Sequence, residues 1–106
     1  MAYERVITAC DRASVAAAEQ PWGWRQTFHD ETVRAQAILL ELSAMLRPGH
    51  ADPAVATLAR QLEGLYRFAI DRLVMANVTK DPKALRSVRS TIDGLREAWV
   101  AGVLGG

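Results

Sequence analysis

The amino-acid sequence predicts an all-α fold, an antiparallel up-down-up-down four-helix bundle. Apolar residues recur at spacings of three and four in four segments, whereas no segment alternates apolar and polar residues as a strand would. The breaks between the segments are short, so consecutive helices are expected to lie side by side in opposite directions. The 106 residues contain no linker, repeat or low-complexity stretch, apart from a Gly-Gly end. We therefore expect one domain, residues 1–106.

Proline and glycine punctuate the first two predicted helices. The first is expected at Ala2–Glu19, because Pro21 and Gly23 follow it. The second is expected over about residues 25–46. Residues 47–50 contain a Pro-Gly pair that should close it, since proline cannot continue a helix and glycine suits a left-handed cap.

Two matching Asp-Pro pairs predict the starts of the last two helices. In Asp52-Pro53 and again in Asp81-Pro82, an N-cap acceptor precedes a proline suited to the first helical position. The core stripes of the four helices are expected to include Tyr3, Val6, Cys10, Phe28, Leu39, Met45, Val55, Leu65, Tyr66, Leu73, Leu85, Ile92, Trp99 and Val103.

A second apolar strip lies away from these stripes. Val33 and Leu40 lie opposite the main stripe of the second helix, and Phe68 and Met75 point away from that of the third. A surface helix normally carries polar residues there. Two interpretations remain open: a thick core covered on both sides, or an exposed groove that accepts an amphipathic helix from a partner.

Composition and charge exclude several classes of protein. The formal net charge is +1, from 13 basic and 12 acidic residues spread along the chain, so no nucleic-acid partner is expected. A single cysteine cannot form an intramolecular disulfide. The start of the chain does not resemble a signal peptide, and the longest apolar run, residues 37–40, is too short for membrane insertion. We expect a cytoplasmic protein.

No catalytic, metal or cofactor site is expected. His29, Asp30 and Glu31 are adjacent on a helix, so their side chains diverge and are expected to form a solvated face. His50 falls in a loop, and Cys10 falls on an apolar face, where burial is expected. The arginines are scattered off the core stripes and form no interior anion site. The protein is therefore not expected to be an enzyme.

Two tryptophans, Trp22 and Trp24, bracket the turn between the first two predicted helices. They are consistent with a lid over the end of the bundle, because large aromatic side chains dominate burial. They are also consistent with an exposed aromatic contact for a partner or a second copy of the chain.

Several short segments occur in an order that resembles the flagellar export chaperones, the FliS family. These segments are Tyr3-Glu4 with Val6-Ile7, Arg34-Ala35-Gln36 with Ile38-Leu39, Leu65-Tyr66, Arg72-Leu73, Ala76-Asn77, Asp81, Leu85, and Leu95-Arg96-Glu97-Ala98-Trp99. The resemblance covers Tyr3 to Trp99. It implies a helical bundle that binds the disordered C-terminal segment of flagellin, prevents premature polymerisation and assists delivery to the export apparatus.

The chain departs from this family at its start. Family members usually carry a further stretch before the segment that resembles Tyr3-Glu4, and in the family that stretch can cover the apolar groove. Its absence here predicts a shortened first helix, uncovered apolar surface and a tendency to form a homodimer. The residues expected to contact a partner are Tyr3, Ile7, Val33, Leu40, Phe68 and Met75. A self-associating adaptor bundle with no flagellin role is the alternative.

Overall fold

The computed structural model describes residues 2–46 and 49–102. Four helices account for most of this part: α1 (Ala2–Glu19), α2 (Trp24–Ala44), α3 (Pro53–Thr79) and α4 (Lys83–Val100). The described residues contain no strand. The all-α prediction is confirmed, and the bounds of α1 agree with those expected.

The four helices form an up-down-up-down bundle. Each consecutive pair packs together, and α4 closes the bundle by packing against α1. The side chain of Arg89 in α4 pairs with Asp11 in α1, with 2.7 Å between Nε and Oδ1. The bundle measures 51 × 24 × 18 Å. The 27 residues of α3 rise about 40 Å, so α3 spans most of the long axis.

The Asp-Pro pair before α3 caps that helix as predicted, whereas the pair before α4 is placed differently. Asp52 accepts a hydrogen bond from the backbone N–H of Ala54 at 2.9 Å, and Pro53 is the first helical residue. Asp81 accepts a hydrogen bond from the N–H of Lys83 at 2.9 Å. The N-cap residue of α4 is nevertheless Pro82, which provides no side-chain cap, and α4 begins one residue later than expected.

The end of α2 differs from the prediction. The helix ends at Ala44, and the N–H groups of Met45 and Leu46 donate to carbonyl groups three residues back, which tightens the last turn. Residues 47–48 lie outside the described residues. The predicted Pro-Gly closure therefore falls partly outside the described residues. The helix has already ended several residues earlier, and Gly49 lies in the following loop.

The bundle interior is apolar. The largest fully buried side chains include Phe28, Leu39, Leu73, Leu85 and Ile92, which come from α2, α3 and α4. From α1, small side chains such as Ala9 and Ala13 are buried, which lets neighbouring helices approach closely. Among the described residues, the buried polar side chains are Glu31 and Thr32.

Some side chains predicted for the core are more exposed than expected. Met45, Val55, Leu65 and Trp99 are between 39% and 67% exposed, and Val103 lies outside the described residues. Met45, Val55 and Trp99 lie at or beside helix ends, where less of a facing helix remains to cover them. Leu65 lies about 100° from Tyr66 around α3, at the edge of the buried stripe.

No helix in the described part of the chain combines the length and the apolar character needed to cross a membrane.

Candidate partner-binding surface

The second apolar strip lies at the surface of the bundle. Val33, Leu40, Phe68 and Met75 are between 41% and 57% exposed. A thick core would have buried these four side chains, so their placement agrees with the alternative of an exposed apolar surface. Such exposure of large apolar side chains is typical of association sites.

The strip consists of two separate faces. The side chain of Asn77 in α3 donates a hydrogen bond to Nδ1 of His29 in α2, over 2.9 Å, so Asn77 marks the side of α3 that faces α2. At 100° per residue, Val33 and Leu40 lie within about 40° of His29 and therefore border α3. Phe68 lies nine residues before Asn77, a rotation of about 180°, and faces the other way.

Phe68 and Met75 are joined by an arginine on that second face. The guanidinium carbon of Arg72 lies 5.5 Å from the centre of the Phe68 ring, and Nη1 of Arg72 lies 3.8 Å from the sulfur of Met75. A cation over an aromatic ring is stabilised by the electrons of the ring face. Arg72 therefore holds the two apolar side chains in one ordered patch on the outer side of α3.

Tyr3 and Ile7 occupy a different position from the other predicted contact residues. Tyr3 is only 7% exposed, and its hydroxyl group forms a hydrogen bond of 2.5 Å with the hydroxyl group of Tyr66. Ile7 is partly buried against the core. The expectation that the start of the chain leaves apolar surface uncovered therefore does not hold for the side chain of Tyr3.

The Tyr3–Tyr66 pair lines an apolar cavity of about 360 Å³ at one end of the bundle. The lining residues come from all four helices and the residues just after α2: Ala2, Tyr3, Leu42, Met45, Leu46, Leu62, Tyr66 and Trp99. Burial, followed by the hydrogen bond with Tyr3, raises the pKa of the Tyr66 phenol, so its hydroxyl group stays protonated. The cavity is apolar with one satisfied polar pair, which suits a large apolar side chain.

Sequence reasoning missed this cavity. It considered each helix separately, whereas the cavity forms where the ends of different helices meet. A signal was present, because Met45 and Trp99 are large apolar residues close to helix ends. At such positions a facing helix covers less of a side chain than it does in the middle of the bundle.

The histidine and cysteine side chains that could take part in catalysis or metal binding lie in different parts of the structure. His29 contacts Asn77, and Nδ1 of His50 accepts a hydrogen bond from the backbone N–H of Asp52. Cys10 is buried as predicted, and burial raises the pKa of its thiol to about 12, so the thiol is unreactive at neutral pH. No group of His, Cys, Asp and Glu side chains in the described part could hold a metal ion.

The sequence predicts that the side chains of His29, Asp30 and Glu31 are all solvated, and the side chain of Glu31 is not. His29 and Asp30 are exposed, but Glu31 is only 8% exposed and lies in the cleft between α1 and α2. The prediction for Glu31 was wrong because the neighbouring helix α1 contributes small side chains, which let it approach α2 closely and cover this position.

The two tryptophans at the first turn have different environments. Trp22 is fully exposed, whereas Trp24 is partly buried and makes an edge-to-face contact with Phe28, with ring centres 6.3 Å apart. The lid interpretation therefore applies to Trp24 and not to Trp22. Gly23 between them has a φ of +78°, a conformation that residues other than glycine rarely adopt.

The fold and the surface together define a class of protein: a small helical bundle with exposed apolar side chains, suited to binding another chain. The sequence model of the family described as flagellar protein FliS matches residues 1–103. The chain belongs to this family, which is a family of flagellar export chaperones. A comparison with curated proteins gave no match.

Proposed function

We propose that the protein is a cytoplasmic export chaperone that binds the disordered C-terminal segment of flagellin. Bound in this way, the segment is unable to polymerise prematurely, and the complex is delivered to the flagellar export apparatus for secretion. Membership of the chaperone family supports this proposal. The observation that carries it is the exposure of apolar side chains on α2 and α3, where a partner chain has access to them.

Coupled folding and binding explains how such a surface holds a disordered segment. The segment loses conformational entropy when it becomes ordered, and the apolar area that it buries offsets this cost. The exposed apolar side chains lie on two faces, with Val33 and Leu40 on one and Phe68 and Met75 on the other. These faces are separated widely enough to require a partner that wraps around α3. An extended chain with helical pieces satisfies this requirement.

The end cavity is proposed as a further contact point for the same segment. Tyr3 and Tyr66 form part of its wall, and Ile7 packs one helical turn further along α1. A large apolar side chain of the partner fills the cavity and buries itself against Trp99. This assigns Tyr3 a role as a wall residue and not as an exposed contact.

Titration with a peptide of the flagellin C-terminus tests the proposal. We expect binding heat by calorimetry and a gain of helical circular dichroism. Phe68→Asp and Leu40→Asp should weaken binding tenfold or more, since a charge would be buried against the partner. Ser90→Asp introduces the same charge at an exposed position of α4 and should have little effect. The absence of both heat and helix gain with the unaltered protein would refute the proposal.

Self-association through the same side chains is the second candidate function. The exposed Phe68 and Met75 also suit a homodimer, in which the protein would act as an adaptor with no flagellin role. Light scattering distinguishes the two candidates. The adaptor is supported by a dimer that Phe68→Asp converts to a folded monomer, together with no response to the flagellin peptide. A monomeric protein at high concentration excludes it.

A further inference from the structure

A row of large side chains runs along the side of α3 that borders α4. These side chains lie about 120–180° around the helix from Asn77, the residue that contacts α2, and they are Leu65, Phe68, Arg72 and Met75. Since α3 packs against α2 and α4, the row borders α4. It forms one wall of a surface groove, the α3–α4 track.

Small side chains form the other wall of the track. Arg89 pairs with Asp11 of α1, so the opposite side of α4 is the one that borders α3. The residues about 140–180° from Arg89 around α4 are Ser87, Thr91, Gly94 and Ala98. A Cβ atom added at Gly94 would have no neighbouring atom within 4 Å, so the space above α4 is open there. Because small side chains let helices approach closely, a third helix can pack into this groove.

The track continues into the apolar end cavity. Leu62 lines the cavity, and Leu65 lies about one turn further along α3. The rise from Leu62 to Met75 is about 20 Å, which is the length of a helix of about 13–14 residues. A helix suits this surface better than an extended chain does, because its backbone N–H and C=O groups are paired internally. An extended chain would place unpaired backbone groups against apolar side chains.

The charge of Arg72 limits what can occupy the track. Its guanidinium group contacts Phe68 and Met75, and none of the ion pairs among the described residues includes it. Two carboxylates flank the track, those of Asp71 and Glu97. Each belongs to the residue directly before a track residue and so points about 100° away from it. The walls of the track therefore carry one positive charge and no negative charge.

A helix that covers Arg72 removes water from its guanidinium group. A wholly apolar helix would leave this cation buried without a partner, which is costly. A carboxylate in the middle of the apolar stripe of the helix would instead form charge-assisted hydrogen bonds with it. A second copy of the chain fits less well, because a two-fold interface through the track would bring the Arg72 side chains of both copies together.

We propose that the α3–α4 track binds one amphipathic helix of about 13–14 residues that carries a carboxylate within its apolar stripe. The carboxylate pairs with Arg72, the apolar side chains beside it pack against Phe68 and Met75, and a large apolar side chain at one end of the helix enters the end cavity. The inference rests on the proposed function for the source of the helix, which is a helical piece of the flagellin segment, and it specifies the chemistry of that piece.

A synthetic helical peptide of about 14 residues tests the proposal. It has leucines on one face, a single glutamate in the middle of that face, and a lactam bridge on the opposite face to hold the helix. NMR titration measures its affinity beside that of a matched peptide with glutamine for glutamate. The glutamine peptide should bind the unaltered protein about tenfold more weakly, but the two peptides should bind Arg72→Gln equally, because the two charges act together. Arg86→Gln changes an exposed arginine of α4 outside the track and should keep the tenfold preference.

A second variant tests the α4 wall. Gly94→Gln fills the open space above α4 and should leave the protein folded, since a side chain there has no neighbouring atom to displace. Replacing a glycine inside a helix also favours the helix, so thermal unfolding should show no loss of stability. This variant should bind the glutamate peptide at least tenfold more weakly. Arg86→Gln places the same side chain elsewhere on α4 and should bind it normally.

Four outcomes would overturn the inference. They are equal binding of the two peptides to the unaltered protein, unchanged binding to Gly94→Gln, no binding up to about one millimolar peptide, and a dimer of the protein that blocks the peptide.

Failure of this inference is distinguishable from failure of the proposed function. If the flagellin peptide binds the unaltered protein, Arg72→Gln and Gly94→Gln equally well, the flagellin role stands and the track is not its site. If the glutamate peptide binds with the expected preferences and the flagellin peptide does not bind, the track is a helix-binding site and the helix comes from another protein.

Discussion

The buried hydroxyl pair of Tyr3 and Tyr66 gives the sharpest test of the packing between α1 and α3. The two oxygens lie 2.5 Å apart, and the residues are 7% and 3% exposed. Removing one hydroxyl group leaves the other buried without its partner. Tyr66→Phe or Tyr3→Phe should therefore each lower the free energy of unfolding by about 1–3 kcal/mol.

Removing both hydroxyl groups should cost less than the sum of the single changes. The double Phe variant keeps the ring contact, in which the ring centres lie 6.3 Å apart, and leaves no orphaned polar atom. We expect it to be within about 1 kcal/mol of the unaltered protein, because replacing both partners of a buried hydrogen bond by apolar groups is nearly neutral. The coupling energy between the two sites is then about 1–3 kcal/mol.

Urea denaturation followed by circular dichroism at 222 nm measures all four proteins of this cycle. The denaturant slope should stay constant, so that shifts of the midpoint report stability. Two results would show that the hydroxyl groups do not depend on each other. The single variants would be as stable as the unaltered protein, or the double variant would lose as much stability as the two single variants together. The reasoning about the end cavity would then be wrong.

Three further predictions concern stability. Burial raises the pKa of Cys10 from its ordinary value of 9.0 to about 12, so between these values only the unfolded chain loses the thiol proton. The free energy of unfolding should therefore be unaffected by this group below pH 9 and should fall by about 1.4 kcal/mol per pH unit from pH 9 towards pH 12. Denaturation at pH 8–11 measures this decline, which Cys10→Ala should reduce. Asp52→Ala removes the α3 cap and should cost about 0.5–2 kcal/mol in the same assay; no loss would show that α3 needs no cap. Leu73→Ala, at a side chain that is 0% exposed, should lower the free energy of unfolding by about 2–5 kcal/mol. Met75→Ala, at a side chain that is 53% exposed, should lower it by well under half as much. Similar losses for the two variants would contradict the assigned burial.

The fold was predictable because local signals agreed with each other. The period of apolar residues, the two Asp-Pro pairs and the Pro-Gly punctuation all favoured the same four helices. The end of α2 was less predictable, since a helix can end before the residue that forbids its continuation. The start of α4 was also less predictable, since Pro82 lies in the preceding turn as the N-cap residue and the first helical residue is Lys83.

The candidate surface was predictable only in part. Helical projection identified Phe68 and Met75 as lying off the core, and the structure places both at the surface. Projection could not show that these residues and Val33 face different ways, because that depends on how α2 and α3 are rotated about their axes. It also gave no warning that Glu31 is buried, since burial there depends on the close approach of another helix.

The positions of the tryptophans allow the fluorescence of the protein itself to report on the end cavity. The chain has three tryptophans. Trp22 and Trp24 lie at the α1–α2 turn, and Trp99 lines the cavity at the opposite end. With Trp22 and Trp24 replaced by phenylalanine, the emission wavelength of Trp99 reports on the polarity of the end cavity alone. A blue shift on adding a partner would then show that an apolar group has entered that cavity, without any attached dye.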